Sequence, residues 1–288
     1  MGCCVSKGGV DGQYASGNKL RRENAWRRTG IVGLRDAGLK ELPVVLFADA
    51  NLALTVKTLD TSNNKLSFLP DTIGNLTNLR SLTLTRNLLT TLPLGLSKCA
   101  NLRTLVLDDN QLVSFSVGDD FFSSLPKLTT LSLKRNRLTE LPDGIGGLKA
   151  LTSLHVNGNK LNSLPNTIGK CIKLEVIDAS GNESSEFILP SEIGDCANLT
   201  SLTLDNCMVR KIPPEILTKC TRLSTLSLHG CPINVRELEE TPGWVEYQSR
   251  VKGKHSKKIT GGVLIDGKFG LDDGIDRREE RIVPHSTA

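Results

Sequence analysis

The sequence predicts an α/β solenoid, in which about eight stacked repeats plus end caps form a parallel sheet on a concave side. The chain is expected to return through short 3₁₀, helical or extended segments on a convex side. Three observations predict this. The pattern LxLxxNxLxxLP recurs, as in SLTLTRNLLTTLP (81–93), TLSLKRNRLTELP (130–142) and SLHVNGNKLNSLP (153–165). Aligned on the first apolar residue, the copies begin at Val56, Leu79, Leu102, Leu128, Leu151, Leu174, Leu199 and Leu223, at steps of 23, 23, 26, 23, 23, 25 and 24 residues. Aromatic residues make up only 4% of the 288, so rings cannot supply the core and stacked leucines must.

The pattern is that of a leucine-rich repeat, and each part has a physical role. A segment such as 82–84 makes a short strand whose alternate side chains face inward. The Asn that follows (Asn64, Asn87, Asn110, Asn136, Asn159, Asn182) is placed to satisfy the backbone of a buried turn. The Leu-Pro pair then directs the chain into an extended or 3₁₀ return, because Pro fixes φ and lacks a donor. One unit cannot bury its leucines alone. Stacking does so at about 2 kcal/mol per Leu.

The ends follow from the same logic. Residues 31–55 are expected to form a capping half-repeat ahead of repeats over 56–232. Over 233–253 a helical cap is expected, with Asn234 and Glu237 as a capping box and Thr241-Pro242 opening a second helix that carries Trp244 and Tyr247. Trp26 and Trp244 flank the regular repeats and are natural apolar plugs. Residues 1–30 are expected to be a flexible, basic, lipid-anchored leader, and 254–288 a polar, largely disordered tail.

The eight cysteines divide by position. Cys207 and Cys231 fall in the Asn column, and Cys99, Cys171, Cys196 and Cys220 share one return-side column. These are the places of small buried hydrophobes in a reducing compartment. Cys3 and Cys4 remain outside, in MGCCVSK. With Met1 removed, Gly2 matches the N-myristoylation pattern, with Ser6 at its second fixed position. One myristoyl chain binds membranes marginally, so Cys3 and Cys4 are expected to add a palmitoyl signal. Lys7, Lys19, Arg21, Arg22, Arg27 and Arg28 against Asp11 and Glu23 would add attraction to an anionic leaflet.

The chain resembles the small intracellular leucine-rich-repeat proteins, the group of leucine-rich repeat-containing protein 57 and of the plant intracellular Ras-group-related proteins. Beyond the repeats, the resemblance lies in WRRTGIVGLRDAGLKELP (26–43), TLDTSNNKLSFLP (58–70), SLHGCPINVRELEETPGWVEYQSRVKGK (227–254) and GGVLIDGKFGLDDGID (261–276). It implies a non-catalytic protein-interaction adaptor, often myristoylated at the residue equivalent to Gly2, with a small GTPase as one class of partner. A monomer without cofactor or metal is expected, at the cytosolic face of a membrane, the plasma membrane first. A freely cytosolic scaffold without lipid is the alternative.

Two outward columns line the expected concave face: Asp60, Thr83, Val106, Ser132, His155, Asp178, Thr203, Ser227, and Ser62, Thr85, Asp108, Lys134, Asn157, Ser180, Asp205, His229. Neither contains an aromatic residue of the kind that dominates interface hot spots. The densest charge gathers at Arg86, Asp108, Asp109, Lys134 and Arg135, with Val106 and His155 beside it. This is the candidate partner site, although mixed signs at strand spacing can equally pair with one another. No Gly-rich phosphate loop, GxSxG or HExxH is present, which speaks against an enzyme. The basic run RVKGKHSKK (250–258) lacks stacking aromatics, so no nucleic-acid partner is expected. The sequons at Asn75, Asn182 and Asn198 are read as accidents of a Ser/Thr-rich repeat, since Asn182 belongs to the buried column.

Overall fold

The computed structural model describes residues 16–115, 118, 120–182, 184 and 186–259. Gly2, Cys3, Cys4 and the segment 260–288 lie outside the described residues. Nine parallel strands form one sheet in sequence order: β1 (Ile31–Gly33), β2 (Thr58–Asp60), β3 (Ser81–Thr83), β4 (Thr104–Val106), β5 (Thr130–Ser132), β6 (Ser153–His155), β7 (Val176–Asp178), β8 (Ser201–Thr203) and β9 (Thr225–Ser227). The eight repeats supply β2 to β9, and the capping half-repeat adds β1, paired in register with β2. The middle residue of each strand, from Val32 to Leu226, points into the core.

The return path is 3₁₀ in five repeats, at Asp71–Asn75, Leu94–Lys98, Asp143–Gly147, Asn166–Lys170 and Ser191–Asp195. Each follows a Pro in extended geometry, such as Pro70 at φ −71°, ψ 149°, as the Leu-Pro pairs predict. The long third repeat replaces the 3₁₀ turn with helix α4 (Asp120–Ser123). There Phe121 and Phe122 are buried edge-to-face, with ring centroids 5.1 Å apart. Phe187 fills the long sixth repeat. The few aromatics thus fill the places where extra residues widen the stack.

The Asn column connects one coil to the next. Asn136 Nδ2 donates to Leu133 O and Leu107 O, each at 3.0 Å, and its Oδ1 accepts from Leu112 N at 3.1 Å. Asn87, Asn110, Asn159 and Asn182 repeat this arrangement. Cys207 and Cys231 hold the same column through the thiol, Sγ donating to Ala179 O and to Leu204 O respectively, each at 3.1 Å. Burial pushes the thiols of Cys99, Cys171, Cys207 and Cys220 up to about 11 and that of Cys196 to about 12. They are protonated and unreactive at neutral pH.

The end caps differ from the sequence expectation in four respects. Within the leader, Ser16–Thr29 is a helix, α1, with Trp26 buried and Arg27 paired to Asp49 at 2.6 Å. It packs on helix α3 (Ala50–Thr55), which follows the short α2 (Val45–Ala48). At the other end, α5 (Pro214–Lys219) and α6 (Val235–Glu239) precede α7 (Trp244–Ile259), so the helical cap runs past residue 253. Thr241 does not cap α7: its hydroxyl donates back to Glu237 O at 2.8 Å, and Gly243, at φ +90°, makes the turn into the helix. The Asn234 amide oxygen accepts from Arg236 N, while Glu237 bonds the Asn234 side chain rather than its backbone.

Helix α7 closes the last rung through side chains. The Tyr247 hydroxyl oxygen accepts the Leu226 N–H at 3.0 Å, a donor that a tenth strand would otherwise take. Arg250 donates to Leu217 O at 3.0 Å and to Leu223 O at 3.3 Å. These bonds terminate the sheet edge and remove a template for further strand pairing.

Candidate partner-binding surface

The strand register brings the two outward columns onto one face. Most of their carboxylates are already occupied. Asp108 accepts from Ser132 Oγ at 2.6 Å and Lys134 N at 3.0 Å. Asp205 accepts from Ser227 Oγ at 2.6 Å and His229 N at 2.9 Å. Asp60 holds Ser62 and, at 2.5 Å, Arg35.

Three of the charged sequence candidates, Arg86, Asp109 and Arg135, form a second, self-paired row. Arg135 grips Asp109 with two bonds at 2.5 and 2.7 Å, and Arg86 stands 3.9 Å from the same carboxylate. The hydrogen-bonding Arg135 guanidinium holds the Asp109 carboxyl below the usual carboxylate range. All three have left-handed backbone, with φ of 56° at Arg86, 54° at Asp109 and 50° at Arg135. This row is the last residue before the Asn column, where Gly158, Gly181 and Gly230 occupy other repeats. A side chain there carries a steric cost of about 1 kcal/mol.

Arg135→Gly is therefore expected to be neutral at pH 7 within about 0.5 kcal/mol, because relief of the left-handed strain offsets an ion pair worth about 1 kcal/mol at a half-exposed site. The lowered Asp109 pKa gives the sign with pH. The pair contributes above the unfolded carboxyl pKa of about 4 and is lost as pH falls through the folded value. In acid, below the lowered folded pKa of Asp109, the glycine variant becomes the more stable protein by up to about 1 kcal/mol. Urea titrations at pH 7 and in acid check this.

What the structure leaves without partners lies one to two strands further on. His155 Nδ1, Asn157 Oδ1 and Ser180 Oγ are shielded from solvent and accept or donate no hydrogen bond among the described residues. β6 and β7 bring them together: His155 is in register with Asp178, and the Gly158 N–H donates to Ser180 O at 2.8 Å. Burial lowers the His155 pKa, and the Lys134 charge lowers it further. The imidazole is neutral at pH 7. The Lys134 ammonium makes no hydrogen bond or ion pair among the described residues. Val106, in β4, is half-buried, like the outward residues of most neighbouring strands.

Of the candidate residues, the face thus gathers His155 and Lys134 as free groups and ties up Asp108, Asp109 and Arg135 internally. Asn157 and Ser180 were not singled out by the sequence. The signal for them is comparative: Ser62, Ser132 and Ser227 each have an aspartate acceptor, and Ser180 has none. Among the described residues no cluster of three or more His, Cys, Asp or Glu could hold a metal, and no helix is long and apolar enough to cross a membrane.

The Leucine rich repeat family model matches residues 55–112, 100–161 and 126–183. The chain contains leucine-rich repeats and folds as a leucine-rich-repeat solenoid. It is similar to plant intracellular Ras-group-related LRR protein 7 of Oryza sativa subsp. japonica, 37% identical over 84 residues, which is 29% of this chain and 28% of that one. An LRR repeats and ubiquitin-like domain-containing protein of Arabidopsis thaliana is 32% identical over 68 residues, 24% and 18% of the two chains. The matched stretch spans less than a third of either relative. Among solved structures, the LRR protein LIC12759 of Leptospira interrogans superposes with a TM-score of 0.61 at 31% identity, over 71% of this chain and 50% of that one. The plant peptide hormone receptor RGFR1 in complex with RGF2 gives 0.54 at 27%, over 64% and 34%. Internalin C2 of Listeria monocytogenes shares the fold, at 0.57 and 19% identity, over 74% and 84%. The leucine-rich-repeat architecture serves in general as a non-enzymatic protein-interaction scaffold.

Proposed function

We propose that this leucine-rich-repeat protein is a non-catalytic adaptor that captures a protein partner on its concave face around His155, Asn157 and Ser180, with Lys134 at the rim. The observation that carries the reading is the three unpartnered polar atoms. A buried polar group without a hydrogen bond costs about 1–3 kcal/mol, and a partner that supplies the missing bonds recovers it. The Asn157 oxygen calls for a donor, and the Nδ1 of a neutral His155 takes a donor or an acceptor according to its tautomer. An extended segment presenting backbone N–H groups or a guanidinium fits them. Similarity to the plant Ras-group-related proteins supports a small GTPase as one class of partner.

The adaptor is a monomer held at the cytosolic face of the plasma membrane by a myristoyl group on Gly2 and a palmitoyl group on Cys3 or Cys4. The sequence MGCCVSK supports the anchor. A freely cytosolic scaffold is the other reading. The test is membrane fractionation of the full chain beside Gly2→Ala and Cys3→Ser/Cys4→Ser, with mass spectrometry of the N-terminal peptide. An acylated peptide, and soluble protein in both variants, is expected; an unmodified peptide with all three forms soluble leaves the cytosolic scaffold. In parallel, His155→Ala/Asn157→Ala/Ser180→Ala is expected to lose at least about tenfold of the proteins that wild type captures. Unchanged capture removes the concave cluster as the binding site.

A further inference from the structure

We propose that Lys57, Arg80 and Arg103 form a docking stripe for an anionic phospholipid surface. The three occupy the same place in successive repeats, just ahead of β2, β3 and β4, and all are exposed. They are stacked directly: Arg80 N donates to Lys57 O and Arg103 N to Arg80 O, both at 2.8 Å. Adjacent strands lie about 4.8 Å apart, so three like charges share roughly 10 Å of one edge. Like charges set directly opposite across strands are destabilising, and none of the ion pairs among the described residues uses these cations.

Neighbouring groups extend the stripe. Lys127 is held beside Arg103 by its bond to Asn101 Oδ1 at 2.7 Å. On the other side of β1, helix α1 carries exposed Arg21 and Arg28. The same repeat position continues as Thr129, Thr152, Glu175, Thr200 and Ser224, so the positive row is confined to the N-terminal end of the stack. That is the end joined to residues 1–15, a length that spans at most about 50 Å and includes Gly2, Cys3 and Cys4. A flat row of cations without aromatic residues suits a charged lipid surface, whereas single-stranded nucleic acid needs rings on which bases stack.

The stripe takes its setting from the membrane reading above, but its own attraction is electrostatic and needs no acyl chain. Unacylated full-length protein therefore tests it separately. Flotation would use phosphatidylcholine vesicles with and without phosphatidylserine, and a single-stranded oligonucleotide as competitor. Wild type is expected to bind only the anionic vesicles, with binding abolished by 0.5 M salt, taken as roughly three times physiological ionic strength. Lys57→Ala/Arg80→Ala/Arg103→Ala should lower the partition coefficient by about fivefold per residue, roughly a hundredfold in all. Lys160→Ala/Arg210→Ala/Lys211→Ala removes equal charge from exposed sites elsewhere and should cost far less. Equal losses in the two triples, no loss in the first, or an oligonucleotide that binds the stripe and displaces the protein from vesicles overturns the proposal. Thermal melts of both triples exclude unfolding as the cause. An unmodified Gly2 in the fractionation above would sink the acyl anchor and leave this result standing.

Discussion

Replacing Asn136 by alanine is expected to destabilise the protein by about 3–4 kcal/mol, the loss of an orphaned buried N–H plus several ordinary hydrogen bonds. The carbonyls that Asn136 serves are shared. Leu107 O also accepts from Asn110, and Leu133 O from Asn159, so each keeps one partner. The Leu112 N–H is different, because its acceptor is the Asn136 oxygen. Without that oxygen a backbone donor is stranded in the core between two coils. Asn136→Cys discriminates this account from a mere volume effect. Cys207 and Cys231 show that a thiol donates in this column, and it cannot fully replace the amide oxygen as an acceptor for Leu112. The Cys variant should recover about 1 kcal/mol relative to Ala. Urea unfolding of the three proteins measures the differences. A cost for Ala below about 1 kcal/mol, or Cys no better than Ala, contradicts the ladder.

Gly95→Ala is expected to cost about 3 kcal/mol, at the upper end for overpacking, because the added methyl meets backbone that cannot swing aside. A Cβ on Gly95 would overlap the Asp71 carbonyl oxygen and lie 2.7 Å from its carbon. The same Gly95 donates its N–H to the Asp71 side chain at 2.9 Å, which holds the adjacent 3₁₀ turns together. Relief would need the two turns to separate, and with them the stacking of Ile73 and Leu96, both fully buried. Gly33→Ala is the control, since a Cβ there meets nothing within 4 Å. It should be neutral within about 0.5 kcal/mol by the same unfolding assay. A Gly95 variant as stable as the Gly33 variant would show that the convex turns can move apart at little cost.

The solenoid was legible because each repeat touches only its neighbours. The spacing of Val56, Leu79 and Leu102 already states which residues stack, and the Asn column states how the turns are satisfied. Even the burial of Cys99 and Cys196 followed from place in the frame. The ends were less legible. Thr241-Pro242 has the form of a helix start, yet Gly243 turns the chain and the Thr241 hydroxyl is taken by Glu237. A terminal rung has no following repeat to impose the pattern, so packing of α7 on α5 and the bond from Leu226 N–H to the Tyr247 hydroxyl decide the boundary. The helical form of Ser16–Thr29 was missed for the same reason: its polar sequence has little apolar periodicity, and Trp26 fixes it by burial.

The sequence by itself determined the repeat, the core and the column to which each polar side chain belongs. Only the tertiary structure decided which members of a column are free. Asp108, Asp109 and Arg135 were the conspicuous charges; Asp109 and Arg135 pair with each other, and Asp108 is held by the Ser132 hydroxyl and the Lys134 N–H. His155 was a candidate from sequence, but Asn157 and Ser180 were unremarkable there; all three carry a side-chain atom without a partner in space. The physical reason is that a column fixes position along the stack, whereas hydrogen bonding depends on distance and direction between side chains on neighbouring rungs, some 23 to 26 residues apart in the chain.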